Sequence, residues 1–430
     1  MNNERDFRQQ LSQRISGTHL GLWLLIGFHL KLDSWSILQN WLGHSDPIQC
    51  RLLLQLVHES ALCVNRIRAK NTLCHQGFAQ VNGLSFLATD KIIHHLCDMS
   101  ISQTIDMQLD LAKKRKSLGH YHPANILALD PHRIPIYTKR ITPKRKKQPE
   151  EKATKMLQHF FCNDAITGQP IVFLLASGGK SCTPMTLQLI RLIEQLELLP
   201  AVFLADKEHY TVEVLKYVLE HEKMEAIVPA IQSKKVKTIL ESLTYTEHWP
   251  AYATARTDFL FNQHPQTFQL IGQRTGLPTQ NADLKGFITT SKHYNCYHIN
   301  YLYPDRWSIE EFFNFEGDMA WNRAATLNLN IRFARQSAAL IAQAVCFELR
   351  QILPPPYKTW TAKHLAQTIF LGFDGDARVN KDTIIITFYN VPEELGLKKH
   401  FENLPQKLQE QGICPKVPWL YDFMVDFRFK

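Results

Sequence analysis

The sequence predicts an α/β protein in which a mixed-sheet core with a partly β insertion follows an all-helical region and precedes a small α+β region. Apolar side chains in residues 1–120 recur at helical spacing, whereas strand-length apolar runs alternate with helical segments over residues 121–350. A hairpin pattern and two helical patterns follow Pro354-Pro355-Pro356. We therefore expect three domains, 1–120, 121–350 and 351–430, with the insertion at about 232–300.

Composition excludes several classes of protein. Of the 430 residues, 45% are hydrophobic and 21% are charged, which excludes disordered chains, collagens and coiled-coil rods. The 49 Lys and Arg residues outnumber the 40 Asp and Glu residues, so a polyanion such as nucleic acid is the first candidate partner. The nine cysteines contain no Cys-x-x-Cys pair and indicate a reducing cytoplasm. The most apolar stretch, Leu20–Leu30, is about half the length that spans a bilayer, so we expect a core helix and no membrane partner.

The first 120 residues read as helices throughout. Ile37–Leu42 and Leu52–Val57 carry helical apolar spacing, and Ser100 is a predicted cap of a helix that ends in the basic run 113–116. Short helices with a basic end are typical of a helical module that contacts DNA. A helix with a solvated basic end is the alternative. We predict a helical DNA-binding domain.

Two predicted strands of the central region end in aspartate. Asn125–Asp130 is a short apolar run that ends in a carboxylate, and Pro200–Asp206 repeats the pattern. Between them the sequence predicts a hairpin of strands 158–162 and 170–176, then a helix from Thr183-Pro184 to about Leu198.

The chain after the second aspartate is predicted to continue as a helix, a strand, the insertion and a long helical region. The predicted elements are helix 211–222, strand 226–231, strand pieces 259–261, 268–271 and 286–289, helices from Ser308 to about Leu353, helix 362–370, a hairpin around 377–387 and helix 395–410.

This element order is that of a ribonuclease-H-like core, in which aspartates at neighbouring strand ends meet a later acid on a helix. Here the acids are Asp130, Asp206 and Glu310. Three converging carboxylates repel one another, and such an arrangement is stable when the acids share divalent cations. Two such cations can activate a water or a 3′ hydroxyl and stabilise the leaving oxygen of a phosphodiester.

A local motif strengthens this interpretation. The segment from Tyr303 to Glu310 has the spacing Tyr-x2-Arg-x3-Glu, which resembles the signature of the IS-four type of DDE transposases of bacterial insertion sequences. Leu127–Asp130, Phe203–Asp206 and Leu327–Arg332 also resemble blocks of that family. The resemblance covers about residues 124–345.

The resemblance implies a transposase that cleaves DNA at insertion-sequence ends and joins the 3′ hydroxyl to target DNA. Asp130, Asp206 and Glu310 would hold Mg²⁺, with Mn²⁺ as a substitute, and Tyr303 and Arg306 would contact the DNA backbone near the scissile phosphate. The implied partners are double-stranded DNA, as terminal inverted repeats and target, and a second copy of the chain in a homodimer on paired ends. The implied location is the bacterial cytoplasm at the nucleoid.

The sequence departs from the family at one position, since Gly317 stands where the family often has a lysine. Two local alternatives stay open: Arg306 could form an ion pair with a nearby carboxylate, and Tyr303 could pack in the interior. Ser308 and Glu311 have capping-box spacing, which predicts that Glu311 folds back on the helix start and leaves Glu310 free.

A basic segment follows the strand that bears Asp130. We predict a loop that neutralises DNA phosphates, with a merely solvated charge run as the alternative. Its residues are Lys139, Arg140, Lys144, Arg145, Lys146, Lys147, Lys152 and Lys155.

Two other functions would use the same fold. A catalytically inactive, transposase-derived DNA-binding protein would keep the fold as an interaction module, although Asp130, Asp206 and Glu310 are all present. A ribonuclease-H-like DNA nuclease without strand transfer would share all three acids, and only a joined DNA product would separate it from a transposase.

Overall fold

The structure, a computed structural model, divides into two compact units. Unit 1 comprises Met1–Leu118 and Phe313–Lys430, and unit 2 comprises Gly119–Phe312. The three-domain division given above stays a prediction. The structure describes the whole chain except residues 1–2, 14, 18, 44–45, 65–69, 71–72, 74–76, 137, 140, 146–151, 263, 277–281, 292–295 and 320–325, and the side chains of 145, 296–298 and 315–316.

The described residues form strands and helices in the following order. The strands are β1 Ile15–Gly17, β2 Ile126–Pro135, β3 Lys144–Arg145, β4 Thr154–Asp164, β5 Pro170–Ser177, β6 Ala201–Ala205, β7 Met224–Pro229, β8 Thr246–Trp249, β9 Tyr252–Leu260, β10 Thr267–Thr275, β11 Asp283–Thr289, β12 Gly375–Asn380, β13 Thr383–Phe388 and β14 Met424–Phe429. The α-helices are α1 Asn3–Ser12, α2 Leu25–Leu32, α3 Ser34–Trp41, α4 Pro47–Ala61, α5 Phe78–Val81, α6 Asp90–Leu96, α7 Ile101–Ser117, α8 Cys182–Gln195, α9 Val212–Leu219, α10 Lys234–Ser242, α11 Cys296–Leu302, α12 Ser308–Glu316, α13 Leu329–Ile352, α14 Pro355–Lys358, α15 Ala362–Leu365, α16 Leu397–Phe401 and α17 Leu404–Glu410. Short 3₁₀ segments include Leu20–Leu24, Lys207–His209 and Tyr303–Trp307.

Five strands at the centre of unit 2 run in the order β5-β4-β2-β6-β7. β2, β4 and β5 form an antiparallel meander, and β6 and β7 lie parallel to β2 and to each other. This is the ribonuclease-H-like topology, so the predicted α/β fold class is confirmed. The two parallel crossovers carry α8 and α9, which is the connection that parallel strands require.

The parallel pairing of β2 with β6 ends at Leu129 opposite Ala205, so Asp130 and Asp206 both follow the last paired residue. The prediction that the first strand ends at Asp130 is wrong, because β2 continues to Pro135. β2 pairs antiparallel with β4 from Leu127 to Pro135, so this pairing continues after the pairing with β6 has ended. That pairing supplies backbone partners to polar and proline-containing sequence that has no apolar strand pattern of its own.

The insertion is continuous with the core sheet. β11 pairs antiparallel with β7, and β10, β9 and β8 follow in order, so the sheet of unit 2 has ten strands. The predicted strand pieces lie in β9, β10 and β11. α10 also lies in the insertion and was not predicted.

Unit 1 combines helices with a four-stranded sheet in the order β1-β12-β13-β14. The predicted C-terminal hairpin is β12 and β13, whereas β1 and β14 were missed. Leu20–Leu24 and the α2 residues Leu25 and Ile26 are buried. Among the described residues, no helix is both long enough and apolar enough to cross a membrane.

The basic segment of unit 2 was predicted to be a loop, but part of it forms a strand. Lys144 and Arg145 form β3 and pair with Lys155 and Thr154 of β4. Of the predicted DNA-binding residues, Arg140, Lys146 and Lys147 lie outside the described residues, as does the side chain of Arg145.

Candidate active site

The two aspartates lie at the same edge of the sheet of unit 2. Asp130 follows the last β2 residue that pairs with β6, and Asp206 follows β6 itself and begins the 3₁₀ turn Lys207–His209. Carboxyl ends of adjoining parallel strands are the usual place for a binding site in α/β sheets. The fold therefore brings the two predicted acids to one edge.

Glu310 lies in the first turn of α12, which continues directly from the 3₁₀ segment Tyr303–Trp307. The predicted capping box is wrong. Ser308 has helical φ and ψ angles of −55° and −29°, and its buried Oγ has no hydrogen-bond partner among the described residues. The capping box fails because the preceding 3₁₀ turn already supplies the helix start. Glu310 is distinguished by its contact with Arg306, whereas Glu311 is exposed.

Arg306 lies between two of the acids. Its Nη1 is 3.3 Å from Oδ1 of Asp130, and its Nη2 is 3.0 Å from Oε1 of Glu310. The residue is only 9% exposed. The ion pair that the sequence left open as an alternative is thus present, and Arg306 joins the strand that bears Asp130 to the helix that bears Glu310.

The protonation of Asp130 reflects this crowded environment. Burial raises the pKa of Asp130 to about 7; Arg306 opposes the rise, and Asp206, Glu310 and Glu208 add to it. Nearby carboxylates disfavour one another's ionised form. Burial and the neighbouring acids therefore outweigh the stabilising effect of the Arg306 guanidinium on the ionised form of Asp130.

Tyr303 contacts the other strand end. Its hydroxyl donates a hydrogen bond of 3.2 Å to the backbone oxygen of Ala205, the residue before Asp206. The Arg306 guanidinium lies 5.9 Å from the Tyr303 ring centroid and 5.8 Å from that of Trp307, whose side chain is 59% exposed. Tyr303 therefore fastens the 3₁₀ segment to the end of β6.

Two neighbours of the acids are not among the predicted site residues. Glu208 forms an ion pair with Arg133 of β2. His209 is fully buried, and burial lowers its pKa to about 4. His209 Nδ1 lies 2.7 Å from Thr186 Oγ1, which anchors the turn after Asp206 to α8. Their positions two and three residues after Asp206 were the available signal.

The oxygen donors fit a hard divalent cation, since Mg²⁺ and Mn²⁺ prefer carboxylate ligands. Asp130, Asp206 and Glu310 are the residues that would hold it. As the side chains stand, no group of three His, Cys, Asp or Glu residues within the described part of the chain forms a ready metal site. Arg306 supplies the positive charge between Asp130 and Glu310 instead.

The basic hairpin formed by β3 and the start of β4 presents positive charge on unit 2. Lys139 and Lys144 are exposed. Lys144 is directly opposite Lys155, whose Nζ donates a 2.7 Å hydrogen bond to the backbone oxygen of Thr138.

Comparison with known proteins gives one family match. A family model described as the transposase DDE domain matches residues 121–344, which is more than half of the chain. No curated protein matches. Among solved structures, the chain is similar to a piggyBac transposase in a synaptic complex with hairpin DNA, at 11% sequence identity and a TM-score of 0.43, covering 84% of this chain and 82% of that one.

Proposed function

The chain belongs to the DDE transposase family, and on that premise we propose that it cleaves DNA at insertion-sequence ends and joins the 3′ hydroxyl to target DNA. One observation carries the proposal. The parallel pairing of β2 with β6 ends just before Asp130 and Asp206, and Arg306 links Asp130 to Glu310. The proposed substrates are double-stranded terminal repeats and target DNA, and a homodimer on paired ends is part of the same proposal.

The proposed ligands of Mg²⁺ or Mn²⁺ are Asp130, Asp206 and Glu310. Bound cations would supply the charge that activates a water or a 3′ hydroxyl and stabilises the leaving oxygen. Arg306 has donors suited to a phosphate oxygen, because a guanidinium binds phosphate through two parallel N–H groups. Tyr303 would hold the segment that carries Arg306 against the end of β6 through its hydrogen bond to the Ala205 carbonyl.

The first test replaces each acid by alanine. Asp130→Ala, Asp206→Ala or Glu310→Ala should reduce cleavage of a terminal-repeat duplex by at least about a thousandfold, because each acid contributes to the chemical step. DNA affinity should stay within a few-fold. Glu311→Ala is the matched control, since Glu311 is the exposed neighbour of Glu310, and it should keep wild-type cleavage.

Three outcomes would contradict the proposal in different ways. Wild-type cleavage by Glu310→Ala would remove that residue from the site, and activity unchanged in a chelator would exclude the metal. Cleavage without a joined product, measured on gels with a labelled target, would favour the nuclease alternative. Gly317→Lys provides a further comparison, because it restores the family's usual residue.

We also propose that the basic hairpin binds the DNA backbone. The exposure of Lys139 and Lys144 supports this, because exposed lysines can neutralise DNA phosphates. The predicted contacts are Lys139, Arg140, Lys144, Arg145, Lys146 and Lys147. They lie beyond the strand that carries Asp130, so their contacts would serve affinity rather than chemistry.

The salt dependence of DNA binding tests this surface. Replacing Lys139, Lys144, Lys146 and Lys147 by Gln should flatten the slope of log affinity against log salt by roughly three to four units, because each phosphate contact contributes about 0.9. The loss should be similar on terminal-repeat and random DNA. The control replaces Lys358, Lys363, Lys381 and Lys416 of unit 1. An unchanged slope in the hairpin variant would show that these lysines are only solvated.

A further inference from the structure

The position of Arg306 is unusual for a side chain expected to meet DNA. Its guanidinium contacts Asp130 at 3.3 Å and Glu310 at 3.0 Å, and its side chain is 10% exposed. Asp130 and Glu310 are two of the three proposed metal ligands. Arg306 therefore contacts two of the three carboxylates that would hold the cation.

Charge accounts for this placement. Asp130, Asp206 and Glu310 place three carboxyl groups at one edge of the sheet, and in their ionised forms each would destabilise the others if it were uncompensated. Arg133 is not the compensating group for these three, since it pairs with Glu208. Among the described basic side chains, Arg306 is the one that joins two of the proposed ligands.

The hydrogen bonding of Arg306 is incomplete. Its Nε is buried and has no hydrogen-bond partner among the described residues. The 3.3 Å contact with Asp130 is longer than the roughly 2.7–2.9 Å that is usual for a charged pair. A buried donor without a partner carries a desolvation cost. The guanidinium is therefore held mainly by charge, and a stronger cation could replace it.

We propose that Arg306 is an internal counter-ion that blocks the acid site until a divalent cation displaces it. This inference rests on the proposed function, because it takes the acids to be metal ligands. Displacement frees one carboxylate oxygen on Asp130 and one on Glu310, and it releases a guanidinium that can then bind an anion. A flexible side chain can make this exchange by rotation about its own bonds, without movement of the helix.

Competition of this kind lowers the apparent affinity for the metal. When the competent state is only a fraction of the population, the apparent dissociation constant increases by the inverse of that fraction. If the Arg306-paired state makes up more than about nine-tenths of the metal-free protein, removing the guanidinium should tighten metal binding about tenfold or more. Lysine keeps the positive charge but lacks the bidentate geometry of the guanidinium, so it should compete less well with the metal for the two carboxylates.

The experiment titrates the full-length chain with Mn²⁺ and follows free Mn²⁺ by electron paramagnetic resonance, without DNA and without an activity measurement. Arg306→Gln should bind Mn²⁺ about tenfold or more tightly than wild type, and Arg306→Lys should lie between them. Arg133→Gln is the matched control, because it removes a similar charge that is paired with Glu208. We expect its affinity to change by less than about threefold.

Equal or weaker Mn²⁺ binding by both Arg306 variants, with a wild type that binds, would overturn the counter-ion role and leave the proposed function standing. A wild type whose Mn²⁺ binding is unaffected by Asp206→Asn and Glu310→Gln would overturn the proposed metal site and the inference with it. If Arg306→Gln does not fold without metal, the Mn²⁺ affinity of Arg306→Lys tests the inference. Tighter binding by that variant supports the inference, and wild-type affinity contradicts it.

Discussion

Each unit contains a cluster of interacting polar groups, and the two clusters are built differently. The acid cluster of unit 2 consists of Asp130, Asp206, Glu208 and Glu310 with their arginine partners. The histidine relay of unit 1 consists of Ser34, His29, His58 and Asn82. The relay satisfies its hydrogen bonds with neutral groups, whereas the acid cluster keeps repelling charges together.

The hydrogen bonds of the relay all run in one direction, from the Ser34 hydroxyl through the two histidine rings to Asn82. Asn82 Nδ2 donates to the Phe78 carbonyl, so its Oδ1 accepts from His58 Nδ1 at 2.7 Å. His58 Nε2 then accepts from His29 Nε2 at 3.1 Å, and His29 Nδ1 accepts from the Ser34 hydroxyl at 2.9 Å. Each ring nitrogen therefore has one partner while both rings are neutral.

Unit 1 also pairs its buried charges. Glu59 is 1% exposed and Lys70 is 3% exposed, and their charged atoms are 2.8 Å apart. Gln55 Nε2 donates to the same Glu59 oxygen, and Asp90 lies 3.2 Å from Lys70 Nζ. In the acid cluster, the Nε atoms of Arg133 and Arg306 are buried without a hydrogen-bond partner among the described residues, and Trp41 Nε1 of unit 1 is in the same state. The two clusters therefore differ in their charges, because Asp206, Glu208 and Glu310 all act against the ionised form of Asp130.

The largest effect should follow from breaking the buried charge pair of unit 1. Lys70→Met leaves Glu59 buried without its nearest cation, which should cost about 3–5 kcal/mol of unfolding free energy. Urea unfolding followed by tryptophan fluorescence is a suitable measurement, since Trp23, Trp41 and Trp419 are buried in unit 1.

Lys398→Met is the control for that measurement. Lys398 and Glu402 form an exposed pair within unit 1, with side chains 65% and 35% exposed, so the cost should stay below about 1 kcal/mol. A double variant, Lys70→Met with Glu59→Gln, should recover part of the loss because no buried charge is left unpaired. Equal costs for Lys70→Met and Lys398→Met would refute the contrast between buried and exposed charge.

The elements that carry the acids were predictable from sequence because their signals are local. The apolar runs before Asp130 and Asp206 identify buried strands, and the helical pattern that begins at Ser308 identifies the helix that carries Glu310. Arg306 could be named but its contact with Asp130 could not be settled, since the two residues are 176 positions apart. The missed capping geometry at Ser308 depends on a preceding 3₁₀ turn that has no distinct sequence pattern.

Long-range pairing explains the other differences. β1 is three residues long and pairs with β12, more than 350 residues away. β14 pairs in parallel with β13. β3 exists because β4 offers an open edge to two basic residues. In each case a distant strand supplies the hydrogen bonds, so the short segment needs no strong strand propensity of its own.

The relay predicts a smaller, pH-dependent effect. Burial lowers the pKa of His29 and lowers that of His58 to about 4, so the unfolded chain binds protons more readily than the folded one. Stability should fall as pH drops from about 6.5 towards 4, with a loss of about 2 kcal/mol at pH 5 from His58 alone.

The measurement for the relay is urea unfolding at pH 7 and pH 5, with His58→Gln as the comparison. Gln keeps a donor for Asn82 but does not titrate, so this variant should lose less stability between the two pH values than wild type. His209 of unit 2 has a similarly lowered pKa and should contribute with the same sign in both proteins. An identical pH dependence in His58→Gln and wild type would exclude the relay as a source of acid sensitivity.

The smallest predicted change in unfolding free energy is a stabilisation, and it should follow from a substitution in the acid cluster. Asp206 makes no side-chain cap to its 3₁₀ turn, and its charge adds to the repulsion at Asp130. In chelator, Asp206→Asn should therefore stabilise unit 2 by up to about 1 kcal/mol, because it removes repulsion without breaking a cap. Glu310→Gln should not gain as much, since Glu310 loses its charged contact with Arg306 at 3.0 Å. The measurement is the thermal unfolding midpoint of both variants and of wild type, each in chelator. Destabilisation by Asp206→Asn would assign Asp206 a structural role and would remove the contrast with unit 1.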